Sequence, residues 1–192
     1  MNTIILNLKL NKSKLLKYNM KKYLFTSFVL PALIFTVAAP VTAYTPGVSS
    51  VGLYRLYNIQ TGEHFYTADY AEAFALRGTN YVIEGVEGSI FRENFYNSIP
   101  LYRLYNSSTD RHFYTTSDVE LAIVIKQGFM LERREGYLAS TTDSPSGATL
   151  ANLYRLYNRI TNDHFYTKNP SEADAAAQSG YTREGSMGYI TD

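Results

Sequence analysis

Along LYRLYN, residues 53–58, the side chains alternate, so that Leu53, Arg55 and Tyr57 share one face of an extended segment while Tyr54, Leu56 and Asn58 share the other. Turn-forming residues Ile59-Gln60-Thr61-Gly62-Glu63 separate this run from a second aromatic one, His64-Phe65-Tyr66-Thr67. The two runs predict a β-hairpin, with Asn58 at the turn entrance, where a short amide side chain bonds nearby backbone. The period then changes. Asp69 is an N-cap type with Glu72 three residues on, the capping-box spacing, and Ala73 and Leu76 lie three apart on the inward face of a short helix that Asn80 would end. Residues 81–84, a turn around Gly88, and Ser89-Ile90-Phe91 predict a second hairpin.

The whole pattern occurs three times in an ungapped register of 39 residues, over 53–91, 101–139 and 153–191, with fourteen positions identical in all copies. The helix signals recur as Ser117 with Glu120 and Asn169 with Glu172, with Pro170 at a first helical position and Gly128 and Gly180 at the ends. Those glutamates are therefore assigned to capping rather than catalysis. A fixed period of this kind marks a unit that buries its apolar face only against its neighbours. Two units would leave a face open and three can close. The expected fold is mainly β with one short helix per repeat, in a three-repeat, pseudo-threefold closed domain. Four strands per unit match a β-trefoil-like count; a three-bladed propeller-like ring satisfies the same count. The connectors, residues 92–100 and 140–152, read as loops between units.

Composition changes the picture at the amino end. Residues 1–43 hold six of the 18 basic residues and none of the 17 acidic ones, so residues 44–192 carry 12 − 17 = −5. That balance argues against nucleic acid and anionic membrane surfaces as partners. Met20-Lys21-Lys22, an apolar run and Val41-Thr42-Ala43 have the charged, apolar and small-residue regions of a secretory signal peptide, and cleavage is expected after Ala43. A membrane anchor is the alternative, but Pro31 interrupts the run, which falls short of about 20 uninterrupted apolar residues. Residues 1–19 read either as a mis-called start before Met20 or as a longer basic region. The remaining 44–192 suit one secreted domain. Cysteine is absent, which removes thiol catalysis, disulfides and zinc-thiolate sites together.

Candidate chemistry follows the repeat. His64, His112 and His164 are the only histidines and occupy one repeat position, so three imidazoles meeting on an axis to hold a metal is one reading; a histidine bonded to strand backbone beside its turn is the other, and the one preferred. Arg55, Arg103 and Arg155 recur with Glu84, Glu132 and Glu184, which reads as an inter-strand ion pair before it reads as a ligand donor. Invariant acids in symmetric triplets give no pair of carboxylates with different environments, as a glycosidase needs, and no GxSxG elbow is present. No enzyme activity, metal or cofactor is expected. The tyrosines are the best case for function, because Tyr57, Tyr66, Tyr105, Tyr114, Tyr157 and Tyr166 supply flat faces and hydroxyls of the kind that bind sugar rings. The candidate ligand set is completed by the three arginines and three histidines.

The LYRLYN and HFYT blocks, with the segment after the helix, resemble a tri-repeat family catalogued only as a domain of unknown function, found in secreted bacterial and fungal proteins and in bacteria often appended to cell-wall hydrolases. The resemblance spans 53–191. It implies a non-catalytic module that attaches to cell-wall or other glycans. The sequence departs from the family pattern at Asn80, where Gly is usual, and at Arg133, which replaces the glycine seen at Gly85 and Gly185, so the middle hairpin is expected to differ. Together these readings lead to a secreted, extracellular, monomeric carbohydrate- or cell-wall-binding module of lectin type, with a protein-interaction or structural scaffold as the alternative.

Overall fold

The first hairpin forms as the alternation predicts. In the computed structural model, which describes residues 48–144 and 147–192, β1 (Ser50–Asn58) pairs antiparallel with β2 (His64–Thr67). Its equivalents are β4 (Ser98–Asn106) with β5 (Arg111–Thr115) and β7 (Leu150–Asn158) with β8 (Asp163–Thr167). Oδ1 of Asn58 accepts the N–H groups of Gln60 and Thr61, and Asn106 and Asn158 hold their turns likewise. The left-handed position of each turn is Gly62, Asp110 or Asn162, residue types that tolerate it. The expected signal peptide lies outside the described residues.

The helices α1 (Tyr70–Leu76), α2 (Asp118–Lys126) and α3 (Pro170–Gln178) start at the expected caps: Asp69, Ser117 and Asn169 each accept first-turn N–H groups. Gly128 and Gly180 follow the second and third helices at φ +98°. The first helix ends sooner than expected. The Thr79 N–H and hydroxyl both bond to the Leu76 carbonyl, and Asn80, which is not left-handed, instead ties back to Gln60.

The second hairpin does not form. Residues 81–91 run on as one strand, β3 (Tyr81–Phe91), and so do β6 (Met130–Ala139) and β9 (Thr182–Thr191). Bulges between Gly52 and Tyr54 and between Arg55 and Leu56 let β3 follow β1 over its whole length. Gly88 serves close approach rather than a turn: a Cβ there would lie 2.3 Å from the Thr191 carbonyl oxygen. At Gly136 it would lie 2.6 Å from the Phe91 oxygen, and at Gly188 3.0 Å from the Ala139 oxygen. Each unit is therefore strand, strand, helix, strand, and the described residues form nine strands, so the four-strand count behind the trefoil and propeller expectations is not met. The long strands link the units, pairing through Phe91 with Tyr137, Ala139 with Tyr189 and Ser89 with Thr191, while the sheet itself remains open with β2 and β8 at the ends of its path.

The alternation in β1 sends its two faces into different cores. Leu53 and Tyr66 join a central cluster with Ile90 and their equivalents from the other units. Leu56 and Phe65, on the opposite face, pack beneath α1 against Ala73 with Tyr54 at the edge, and α2 and α3 cover matching clusters. A further cluster of Phe91, Tyr137 and Ala139 seals the end where the long strands meet.

The close approach makes a sharp prediction for stability. Gly88→Ala forces a backbone contact at a positive φ of 144° and is expected to cost about 3 kcal/mol or more in urea unfolding. Gly78→Ala, whose added Cβ meets nothing closer than 3.8 Å, is expected to stay within about 0.5 kcal/mol of the parent.

Candidate functional site

The hairpins carry most of the repeated side chains, and their inner ends meet in the central core. There Tyr66, Tyr114 and Tyr166 are at most 2% exposed. The Tyr66 N–H donates to the Tyr114 hydroxyl at 2.8 Å, Tyr114 N–H to Tyr166 and Tyr166 N–H to Tyr66. Each hydroxyl in turn donates to a tyrosine carbonyl: Tyr66 to Tyr166, Tyr114 to Tyr66 and Tyr166 to Tyr114. The rings stand edge to face, 5.2–5.5 Å apart. Burial pushes all three phenols upward from their ordinary value, so they act as neutral groups that donate and accept. The expectation that these tyrosines belong to a ligand set is corrected here: their faces and hydroxyls are used within the core.

Outside that hub each arginine meets its own unit's glutamate, as expected: Arg55 Nε donates to Glu84 at 2.8 Å, Arg103 Nε to Glu132 at 2.7 Å, and Arg155 Nε lies 2.8 Å from Glu184. The fork end reaches into the preceding unit. Nη1 and Nη2 of Arg103 hold Glu72 at 2.8 and 2.9 Å, those of Arg155 hold Glu120, and those of Arg55 hold Glu172. Each guanidinium also lies over a phenylalanine of that preceding unit. The assignment of Glu72, Glu120 and Glu172 to a capping box is thereby overturned. Thr67 Oγ1 takes the Asp69 N–H that such a box would use and itself donates to Glu72, leaving the carboxylate free for Arg103. Burial alone would raise the Glu72 carboxyl, but the Arg103 fork and the Thr67 hydroxyl hold it down at about 2.

The histidines do not converge. Each packs on the tyrosine opposite it in its hairpin, Tyr57 with His64 at 5.0 Å, Tyr105 with His112 at 4.9 Å and Tyr157 with His164 at 4.5 Å. Each also touches a phenylalanine of the preceding unit, and among the described residues no group of three or more His, Asp or Glu has metal-holding geometry. Two of them are clamped by an acid that sequence reasoning missed. Glu63 accepts the N–H of His112 and contacts its Nδ1 at 2.8 Å, and Asp163 does the same for His64 at 2.7 Å. Tyr81 and Tyr181 donate their hydroxyls to the same two acids. In the middle unit the acid is replaced by Arg111 and the hydroxyl donor by Phe129, two changes that make sense only together; pairing that exchange with the neighbouring His would have revealed the clamp in the sequence. Arg111 instead bonds the carbonyls of Thr61 and Thr161 in the other two turns. Without a clamp, His164 is pushed down to about 4, by burial first and then by the nearby Arg155 charge.

Several surfaces among the described residues remain open to a ligand. Tyr57, Tyr105 and Tyr157 are half-buried on their histidines near the hairpin turns. Between units lie clefts: one of about 240 Å³ beside Arg155 and Met187, and one of about 380 Å³ beside Tyr70, Arg92, Arg133 and Arg134. Arg133 departs from the glycine of the other copies as noted, and pairs with Glu72 and Glu135.

The family model described as Domain of unknown function (DUF5648) matches residues 35–139 and 133–192, and the chain belongs to that family. No curated protein and no solved structure matches the chain.

The unclamped histidine predicts a pH dependence. With its folded value near 4 against an ordinary 6.5, the stability associated with a neutral His164 is complete above about pH 6.5 and is lost as pH falls toward 4. His164→Gln is expected to flatten the decline in urea midpoint between about pH 6.5 and 4.5, an effect on the order of a few kcal/mol. The further loss below 4.5, where Glu72 and its equivalents take up protons in the unfolded chain before the folded one, is expected to persist. An unchanged slope above pH 4.5 would show that His164 is not the group responsible.

Proposed function

We propose that this member of the family is a secreted, non-catalytic module that binds carbohydrate or cell-wall polymer in the manner of a lectin, through up to three weak, symmetry-related sites. The observation that carries this reading is the triplicate of half-exposed tyrosines, Tyr57, Tyr105 and Tyr157, each backed by a histidine ring. A tyrosine fixed on a second ring offers a flat face already ordered for a sugar, so little entropy is lost on binding. Three such faces on one body add avidity on a polymeric surface. We take the three units to form one pseudo-threefold body, trefoil-like in symmetry with three strands per unit. The link to cell-wall hydrolases and the export of the chain rest on the family resemblance and on the signal-like residues 1–43. Among the described residues no helix is long and apolar enough to cross a membrane.

The scaffold alternative is favoured by one feature, the exposed apolar side chains of the middle unit, Val119 and Ile123 a turn apart on α2 and Met130 and Leu131 at the start of β6. A pull-down on insoluble peptidoglycan, chitin and cellulose separates the readings. The chain is expected to be retained on at least one polymer, and the triple variant with Tyr57, Tyr105 and Tyr157 changed to Ala, confirmed as folded, is expected to pass through. Absence of retention by the parent protein on all three supports would sink the glycan reading.

A further inference from the structure

The clefts between units are built alike and filled differently. Where the third unit meets the first, Glu87 accepts Nη1 of Arg55 on Oε1 at 2.6 Å and the Lys168 N–H on Oε2 at 3.0 Å. Where the first meets the second, Glu135 places Oε1 3.0 Å from Arg103 Nη1 and accepts the Ala68 N–H on Oε2 at 2.8 Å. One carboxylate thus bridges a guanidinium and a backbone amide of the preceding unit. Where the second unit meets the third, the same position is Met187, whose side chain joins the central core. The two donors are still there. Arg155 gives one N–H each from Nη1 and Nη2 to Glu120, its Nε lies beside Glu184 without hydrogen-bond alignment, and among the described residues no carboxylate bridges it to the Thr116 N–H. Thr116, Arg155 and Met187 line the cleft of about 240 Å³.

We infer that this cleft binds the carboxylate of an acidic sugar, one oxygen on Arg155 Nη1 and the other on the Thr116 N–H, in the position that Glu87 and Glu135 fill in the sister clefts. The choice of a sugar rests on the glycan reading above; the carboxylate rests on the two donors. Charge permits it, because Arg55 in the equivalent setting contacts Glu84, Glu87 and Glu172 together, and charge-assisted bonds of this kind are the strong ones. The balance of 12 − 17 = −5 over residues 44–192 limits the ligand to an isolated carboxylate and disfavours a polyanion. The volume lies below the roughly 300–1,000 Å³ of larger ligand pockets, which suits a single ring. The partly exposed carboxylates of Glu120 and Glu184 border the same cleft and accept hydrogen bonds from ring hydroxyls.

The test follows the Thr116 amide by NMR while the protein is titrated with glucuronate, glucose and N-acetylalanine. A saturable shift with glucuronate and none with glucose is expected. Met187→Glu, which supplies its own carboxylate to the cleft, is expected to abolish it. Because Met187 packs in the core, Glu87→Met serves as a second variant: it vacates the sister cleft and is expected to create a glucuronate response at the Lys168 amide. A shift with N-acetylalanine but not glucuronate overturns the sugar assignment. No shift at Thr116 with either acid overturns the inference, and does so even if the polymer pull-down succeeds, in which case the tyrosine faces alone carry the binding.

Discussion

A tyrosine hydroxyl buried in an apolar core must find partners there, since an orphaned polar group costs about 1–3 kcal/mol. Tyr66, Tyr114 and Tyr166 solve this for one another, each hydroxyl accepting an N–H from one neighbour's backbone and donating to a carbonyl. No single unit satisfies its own tyrosine. The arrangement requires three copies in cyclic order, and the surrounding contacts keep that order: each arginine reaches the glutamate of the preceding unit, and each long strand passes a glycine against its neighbour. Cooperative hydrogen bonding in a low-dielectric interior strengthens such a ring.

Because the hub needs only the repeated residues, the periphery is free to differ. The middle unit exchanges an acid and a hydroxyl for Arg111 and Phe129, which leaves His164 unclamped and ties the three turns together through carbonyl oxygens instead. The third unit exchanges a bridging glutamate for Met187, and among the described residues no carboxylate bridges Arg155 to the Thr116 N–H. The middle unit also adds Arg133 and Arg134 where Gly85-Val86 and Gly185-Ser186 stand in the other copies, which brings two more guanidinium groups to the cleft it forms with the first unit. Repeated units with unlike clefts let a repeat protein place different chemistry at equivalent positions.

Much of the local structure was legible because local signals decide it. Hairpin alternation, turn asparagines and helix caps are set by neighbours within a few residues, and each appeared three times. The Arg55–Glu84 pair was legible for the same reason, as both lie within one unit. What stayed hidden involves two units at once. Glu72 at capping spacing from Asp69 gives no sign that Arg103 of the next unit will claim it, and identity across copies cannot distinguish a residue that contacts its own unit from one that contacts the next. Gly88 read as a turn because glycine usually frees the backbone, whereas here it makes room for the Thr191 carbonyl. Tyr66 read as a ligand face because an aromatic hydroxyl suits sugar and core alike; only burial separates them.

The most direct measurement is urea unfolding of Tyr66→Phe, followed by fluorescence and by backbone circular dichroism. The deletion removes one oxygen and strands the Tyr166 N–H and carbonyl together, so a loss of about 2–4 kcal/mol is expected, with both probes reporting one coincident transition because all three units share the hub. A loss below about 0.5 kcal/mol, or units that melt in separate steps, would contradict the hub as the interaction that holds the three repeats as one body.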